Sequence, residues 1–378
     1  MNMARTHTLA AAGAVLLSPL ALAQIPDSVT SLDPGGRQMG LGGVGYLTGA
    51  DTFSSYFNPA GLGYISRTRV AAAFRNLPQS RSLASGDFND QTLLSTGETG
   101  ARGLSHVGFA LPSGRGTLGI ALTLGGFMDD TRAGSGLVSG GLTVNNYLER
   151  IKVRTDFVSV GYGQASGDQT FSWGASALLA LTGVTNRQTG DLVDGNGNTV
   201  GTLDVDNDET GTGVGFVAGV QFSPRNRPNM SLGFSFRSEI NLSGNDNTAS
   251  VYDKIPARLA GGIVMRKDGL RGGRDFLVYG AEVQHFLAGG NSSLVDRKAQ
   301  TTAGFGFEYN YIGGFGSLPI RVGFQAVPSG GNGFGSRNAF TFGIGYRPGG
   351  SDLSIDVNFG RPEGGGSDMS LSVGYRFK

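Results

Sequence analysis

Nine charged side chains stand out because they fall on one side of alternating segments, opposite the large apolar residues: Arg237, Glu239, Arg258, Glu282, Glu308, Arg321, Arg347, Asp356 and Arg376. Charges of both signs on one face can pair with an inserted segment, line a polar channel or neutralise one another across an enclosed space. Catalytic chemistry has weaker footing. His106 follows Ser105 and His285 lies far along the chain, and neither sits in a context that would orient a base toward a nucleophile. The loop Asp194-Gly195-Asn196-Gly197-Asn198 and the run Asp204, Asp206, Asp208, Glu209 offer clustered oxygens, but positions six and twelve of an EF-type loop would be Thr199 and Val205. Gly40, Gly42 and Gly45 spell G-x-G-x-x-G with no strand before them and no βαβ unit around them, a spacing that arises by chance among 66 glycines. No catalytic residue, metal site or cofactor is expected, and the chain reads as a non-enzyme.

The composition narrows the class. Charged residues make up 16% of the 378 positions, against about 25% in ordinary soluble domains. Lys plus Arg is 30 and Asp plus Glu is 29, so no basic excess exists to grip nucleic acid. The absence of cysteine excludes disulfides, thiolate chemistry and lipidation of an N-terminal cysteine. Residues 1–23 read as an export signal, with Arg5 in a short polar start, an apolar run from Leu9 to Leu17 and Ala21-Leu22-Ala23 as a small-residue cleavage site, so the mature chain is expected to begin at Gln24. No run of about 18 to 20 apolar residues follows, and no membrane-spanning helix can be proposed.

From about Thr68 onward the chain falls into fourteen segments of about ten residues, from 68–76 to 368–377, in which apolar residues recur at every second position. One face is greasy and aromatic, as in Phe340, Phe342, Ile344 and Tyr346. The other is small or charged, as in Thr341, Gly343, Gly345 and Arg347. A soluble sandwich would carry Lys, Glu, Thr and Ser on its second face, so an inside-out barrel fits better, with the apolar face toward lipid and the nine charges toward the lumen. Connections alternate between long (77–103, 128–149, 185–211) and short (112–116, 164–169, 223–228), as outer loops and periplasmic turns do. In segment 150–163 the apolar phase changes between Val153 and Val158, which predicts a bulge or kink and a candidate break in the wall.

The region before the first strand carries Gly36-Arg37-Gln38-Met39-Gly40-Leu41-Gly42-Gly43 and then Tyr56-Phe57-Asn58-Pro59-Ala60-Gly61-Leu62. It resembles the N-terminus of the FadL-type outer-membrane long-chain fatty-acid transporters and their smaller PorV-like relatives. Phe236 to Ile240 and Ile255 to Gly262 resemble middle strands of that family, and Leu371, Val373, Tyr375 and Phe377 resemble the terminal assembly signal of outer-membrane barrels, although Lys378 follows the aromatic. The resemblance implies a fourteen-stranded barrel with its N-terminal segment folded inside as a hatch. In the transporter branch the cargo is a hydrophobic molecule; in the PorV-like branch the barrel is a partner in protein secretion. Independently of any family, Asn58-Pro59 should make a rigid bend between plug and wall, because proline fixes φ and Asn58 can bond nearby backbone.

The reading is therefore an all-β, monomeric, fourteen-stranded antiparallel transmembrane barrel in the bacterial outer membrane. It divides into signal 1–23, hatch 24–66 and barrel 67–378. Expected partners are outer-membrane lipid and a hydrophobic small molecule such as a fatty acid. A secretion-system or cell-envelope protein partner is the first alternative, and a general polar porin the second. The motif Asn58, Pro59, Ala60 and Gly61 is expected to hold the hatch against the wall.

Overall fold

Alternation builds a wall here because the two faces of each strand meet different media. The structure, a computed structural model, describes residues 34–76, 83–88, 91–96, 102–135, 137–139, 142–244, 254–288, 299–328, 338–362 and 368–377. The expected export signal and residues 24–33 lie outside the described residues. Fourteen strands form an antiparallel meander in chain order: β1 (Arg69–Asn76), β2 (Arg102–Ser113), β3 (Gly116–Gly134), β4 (Leu142–Ala165), β5 (Phe171–Val193), β6 (Thr199–Phe222) and β7 (Met230–Arg237) make the first half. The second half is β8 (Arg258–Gly269), β9 (Asp275–Phe286), β10 (Gln300–Gly313), β11 (Gly316–Ala326), β12 (Ala339–Pro348), β13 (Leu353–Pro362) and β14 (Asp368–Arg376). The sheet closes where β14 pairs with β1, Val70 opposite Tyr375 and Phe74 opposite Leu371. Closure satisfies the backbone of the edge strands, which hydrocarbon would otherwise leave unpaired.

Outward side chains are large and apolar yet exposed, among them Ile120, Phe216, Phe305, Val322 and Phe340. A continuous exposed belt of this kind is stable only against lipid. Replacing Val322, midway along β11, by arginine is expected to destabilise the membrane-inserted barrel by about 2–4 kcal/mol, the cost of a lipid-facing charge near the bilayer midplane. Urea titration of folding into phosphatidylcholine vesicles measures it, and an unchanged midpoint would remove Val322 from the lipid face.

Strands β3 to β6 are 19, 24, 23 and 24 residues long, whereas about 9–11 suffice to cross a bilayer. Much of the two stretches expected as long loops, 128–149 and 185–211, is therefore strand. The β5–β6 hairpin ends in a tight turn in which Asp194 N–H donates to the Asn198 carbonyl (2.9 Å) and Asn196 N–H to the Asp194 carboxylate (2.9 Å). Within 77–103 a further hairpin, Leu83–Phe88 with Gln91–Thr96, extends the sheet.

The phase change expected to mark a bulge in 150–163 has a different cause. The β4–β5 ladder runs unbroken from Leu148 to Ala165. The irregularity lies on the facing strand, between Leu124 and Gly126 of β3, where the Phe157 ring occupies the space a side chain at Gly125 would need. What changes along β4 is its surroundings. Its outer face passes from Val158 and Val160 to exposed Arg154 and Lys152. On β5 the outward residues change from Trp173, Leu179 and Leu181 to Arg187, and on β6 from Phe216 and Val214 to Asp208, Asp206 and Asp204. Inside the same extension, Val144, Tyr147, Leu192 and Leu203 form a buried apolar cluster. Above the lipid the outer face meets water and the inner face becomes the core, so the polarity of the two faces exchanges.

The β7–β8 hairpin is kinked. Arg237 pairs with Arg258, the ladder then skips two residues on each side, and it resumes in the same register as Ile240 with Ile255 and Asn241 with Lys254. Pro256, which has no N–H to donate, sits in the interruption. Beyond the kink the tip leans into the barrel, where Ile240 and Ile255 are fully buried against Tyr56, Phe57, Phe157, Leu178 and Val184.

Candidate functional site

Residues 34–66 thread the lumen with little regular structure, so their backbone needs partners, and the wall supplies them. Asn358 Nδ2 donates to the Gly36 carbonyl (2.8 Å), Thr341 Oγ1 to Gly40 (3.2 Å), Gln221 Nε2 to Thr48 (2.5 Å) and Thr117 Oγ1 to Ile65 (2.8 Å). Glu282 works in the opposite sense, its carboxylate accepting from the backbone N–H of Gly45 (2.5 Å) and Leu47 (3.3 Å). Glycine on the inner wall makes this proximity possible. A side chain at Gly323 would collide with the backbone of Leu41 and Gly42, and one at Gly219 with the Asn58 amide. The glycines that spell G-x-G-x-x-G turn the plug chain, with φ of 67° at Gly42 and 102° at Gly45.

Asn58 caps the 3-10 helix Pro59–Tyr64, its Oδ1 accepting from Ala60 N–H (3.3 Å), with Pro59 at the first helical position. Its Nδ2 donates to the Leu47 carbonyl (2.6 Å) on the plug and the Val220 carbonyl (3.2 Å) on β6. Ala60 is fully buried, and its carbonyl accepts from Ser172 Oγ of β5. A side chain at Gly61 would meet the Gly49 carbonyl. Ser172 and the motif lie beside the short turn between β4 and β5, at the end of the barrel opposite the β5–β6 hairpin.

The nine charges sort into three groups. Glu308, Arg321, Asp356 and Arg347 form a chain, with Glu308 to Arg321 Nε 2.5 Å, Arg321 Nη2 to Asp356 2.8 Å and Arg347 Nη2 to Asp356 2.9 Å. The plug completes it through Arg37, whose Nε and Nη2 reach the Glu308 carboxylate at 2.6 and 2.8 Å. Arg237, Arg258 and Glu282 are buried and face the plug. Glu239 and Arg376 stand apart from these clusters: Glu239 is exposed at the hairpin kink beside Lys254 (3.5 Å), and Arg376 is exposed at the strand end beside Asp352 (3.4 Å).

Arg37 is the plug residue that alternation could not find, since it lies in no strand. Its signal was a lone cation in a glycine-rich opening. Burial works against its charge, but the neighbouring Glu308 carboxylate outweighs that and holds the guanidinium above its ordinary range. Burial pushes the plug's Asp51 upward, opposed by hydrogen bonds from Gln38 and the Phe53 N–H and by the charge of Arg69. His106 is buried without a catalytic partner: it stacks on Phe53 of the plug (3.7 Å between centroids) and bonds Thr52 and Thr123 hydroxyls, both at 2.9 Å. Ser105 Oγ donates instead to the Ala73 carbonyl (3.0 Å). His285 bonds the Thr301 hydroxyl (2.8 Å). Among the described residues no group of three or more acidic or histidine side chains could hold a metal ion.

A closed fourteen-stranded barrel with a lipid-facing belt and a plug seated in its lumen is an outer-membrane channel fold. Solved structures share it. The chain is similar to a FadL homologue of Pseudomonas aeruginosa at 17% identity and a TM-score of 0.61, covering 94% of this chain and 100% of that one. It is also similar to CymD, a monoaromatic hydrocarbon channel, at 12% identity and a TM-score of 0.53, covering 94% and 98%. At such identities the likeness is one of fold. No protein-family model and no curated protein matches the chain.

Proposed function

We propose that this barrel carries hydrophobic small molecules across the outer membrane, with amphipathic carboxylates such as long-chain fatty acids as cargo and residues 24–66 acting as the hatch of a monomer. The observation that carries this reading is a buried apolar cluster inside the barrel, where Tyr56 and Phe57 of the plug and Ile240 of the inward hairpin pack against Phe157, Leu178 and Val184 on the side of the wall that a water-filled pore would make polar. The fold shared with a hydrocarbon channel is consistent with it. The test is uptake of radiolabelled oleate by cells whose own fatty-acid channel is deleted and which express this chain. Uptake should rise well above the vector control, while liposomes carrying the barrel should not swell in sugar solutions. Sugar-driven swelling without oleate uptake would favour the polar porin.

One observation favours a second reading, a partner in protein secretion or at the cell envelope. The four long strands project beyond the lipid belt and offer a charged outer face, Arg154 and Lys152 on β4 and Asp204 and Asp206 on β6. Native mass spectrometry of the gently purified barrel separates the two, since a retained protein supports the partner and retained lipid supports the transporter.

A further inference from the structure

The β7–β8 hairpin leaves a strand edge uncovered when it leans into the barrel. β7 pairs with β6 only between Val217 and Phe222. The last backbone contact of the hairpin with β6 is at Thr212, which exchanges both hydrogen bonds with Ser243 (2.9 and 2.7 Å). Toward its other end β6 pairs with β5 on one side and, among the described residues, with nothing on the other. The β5–β6 ladder holds one register from Gly201 to Phe222, so backbone direction alternates there without a break. Thr212 points its N–H and C=O away from β5. Thr210, Asp208, Asp206, Asp204 and Thr202 therefore do the same, into the open edge. An unpaired edge of this kind is a template for another strand.

The side chains along this edge select the strand that fits it. The same even-numbered positions face outward, and Asp204, Asp206 and Asp208 are exposed in one row. Asp206 has a counter-ion in Arg187 of β5 (3.0 Å), whereas Asp204 and Asp208 have no cation within ion-pair distance among the described residues. The odd-numbered positions turn inward, where Leu203 and Val205 pack with Val144, Tyr147 and Leu192. An added strand continues both faces. A second copy of the chain is a poor occupant: two barrels in one membrane, related by a twofold axis along its normal, align the acidic face of one edge with the apolar face of the other. We infer that the free edge of β6 is a docking site for an extended segment of another protein, with Lys or Arg at every second position opposite Asp204, Asp206 and Asp208 and apolar residues between them. Such docking is independent of any cargo carried through the barrel.

The test uses the full barrel in a non-ionic detergent and a fluorescent synthetic peptide, long enough to span Thr202–Thr210, in which lysine alternates with valine. Fluorescence anisotropy should show saturable binding. Two peptides of the same charge separate strand pairing from attraction to an acidic surface: one has its lysines grouped at one end, and one is N-methylated throughout and donates nothing to the edge. Both should bind about tenfold more weakly or worse. On the protein, Asp204→Asn with Asp208→Asn should weaken the alternating peptide about two- to thirtyfold, the span for two cross-strand ion pairs. Asp206→Pro and Asp206→Asn lose the same charge, but only proline removes the N–H at the edge, and it leaves the β5 ladder intact. The proline variant should bind about fivefold more weakly than the asparagine variant. Unheated gel mobility checks that each variant keeps its barrel. Absence of saturable binding below about 1 mM, equal binding of the grouped or N-methylated peptide, or equal affinity of the proline and asparagine variants overturns the site. The peptide comparison decides on the wild-type barrel even where a substitution disturbs the hairpin.

Discussion

Glu308→Ala is expected to cost about 3–5 kcal/mol of stability, the range found when one partner of a buried charge network is removed and the other is left uncompensated. Glu308 is 3% exposed and accepts from Arg37, Arg321 and Asn310, the last at 2.9 Å. Without it, Arg321, fully buried, shares the single carboxylate of Asp356 with Arg347. Arg37 has a side chain 35% exposed and regains some water, which places the expected loss toward the lower end of the range. Glu308→Gln keeps the shape and one acceptor and should lie between the two. Urea titration of the barrel in detergent, followed by the mobility of the unheated protein in gel electrophoresis, reads the loss. A midpoint within error of wild type for Glu308→Ala would mean that the network does not hold the plug to the wall.

The double replacement of Asn58 and Pro59 by alanine should release the plug while sparing the wall. Losing the cap costs about 1 kcal/mol, and each of the two hydrogen bonds from Nδ2 contributes about 1 kcal/mol more. A total of about 3 kcal/mol moves the seated-to-released equilibrium by about a hundredfold. The wall keeps its own ladders, since β4, β5 and β6 pair with one another around the motif without its help. Single-channel conductance in planar bilayers should therefore show openings that wild type rarely shows, with normal heat-dependent gel mobility. Wild-type conductance and wild-type oleate uptake together would reduce Asn58-Pro59 to an ordinary turn.

Strand period, inward phase and strand number follow from side chains two apart, and Glu308, Arg321 and Asp356 were recognisable as one inward set because alternation survives any rearrangement of distant parts. The same local rule misread 128–149 and 185–211 as loops. There the outer residues Asp204, Asp206 and Asp208 face water instead of lipid, and a polar outer face with a mixed inner one lacks the contrast that marks a strand within the membrane. The bulge expected in 150–163 failed for that reason too: the change of phase records where β4 leaves the bilayer.

Composition and side-chain alternation suffice to make this cysteine-free, glycine-rich chain with balanced charge a closed wall with a greasy exterior, because those properties are sums and short-range periods. Pairing inside the barrel depends on how distant segments come together. Arg37 meets Glu308 across 271 residues of chain, and Arg237 and Arg258 are left facing neutral oxygens of the plug and of the Pro256 kink. Whether a buried charge is compensated depends on distances between segments that no local pattern encodes, and burial decides how strongly that compensation counts.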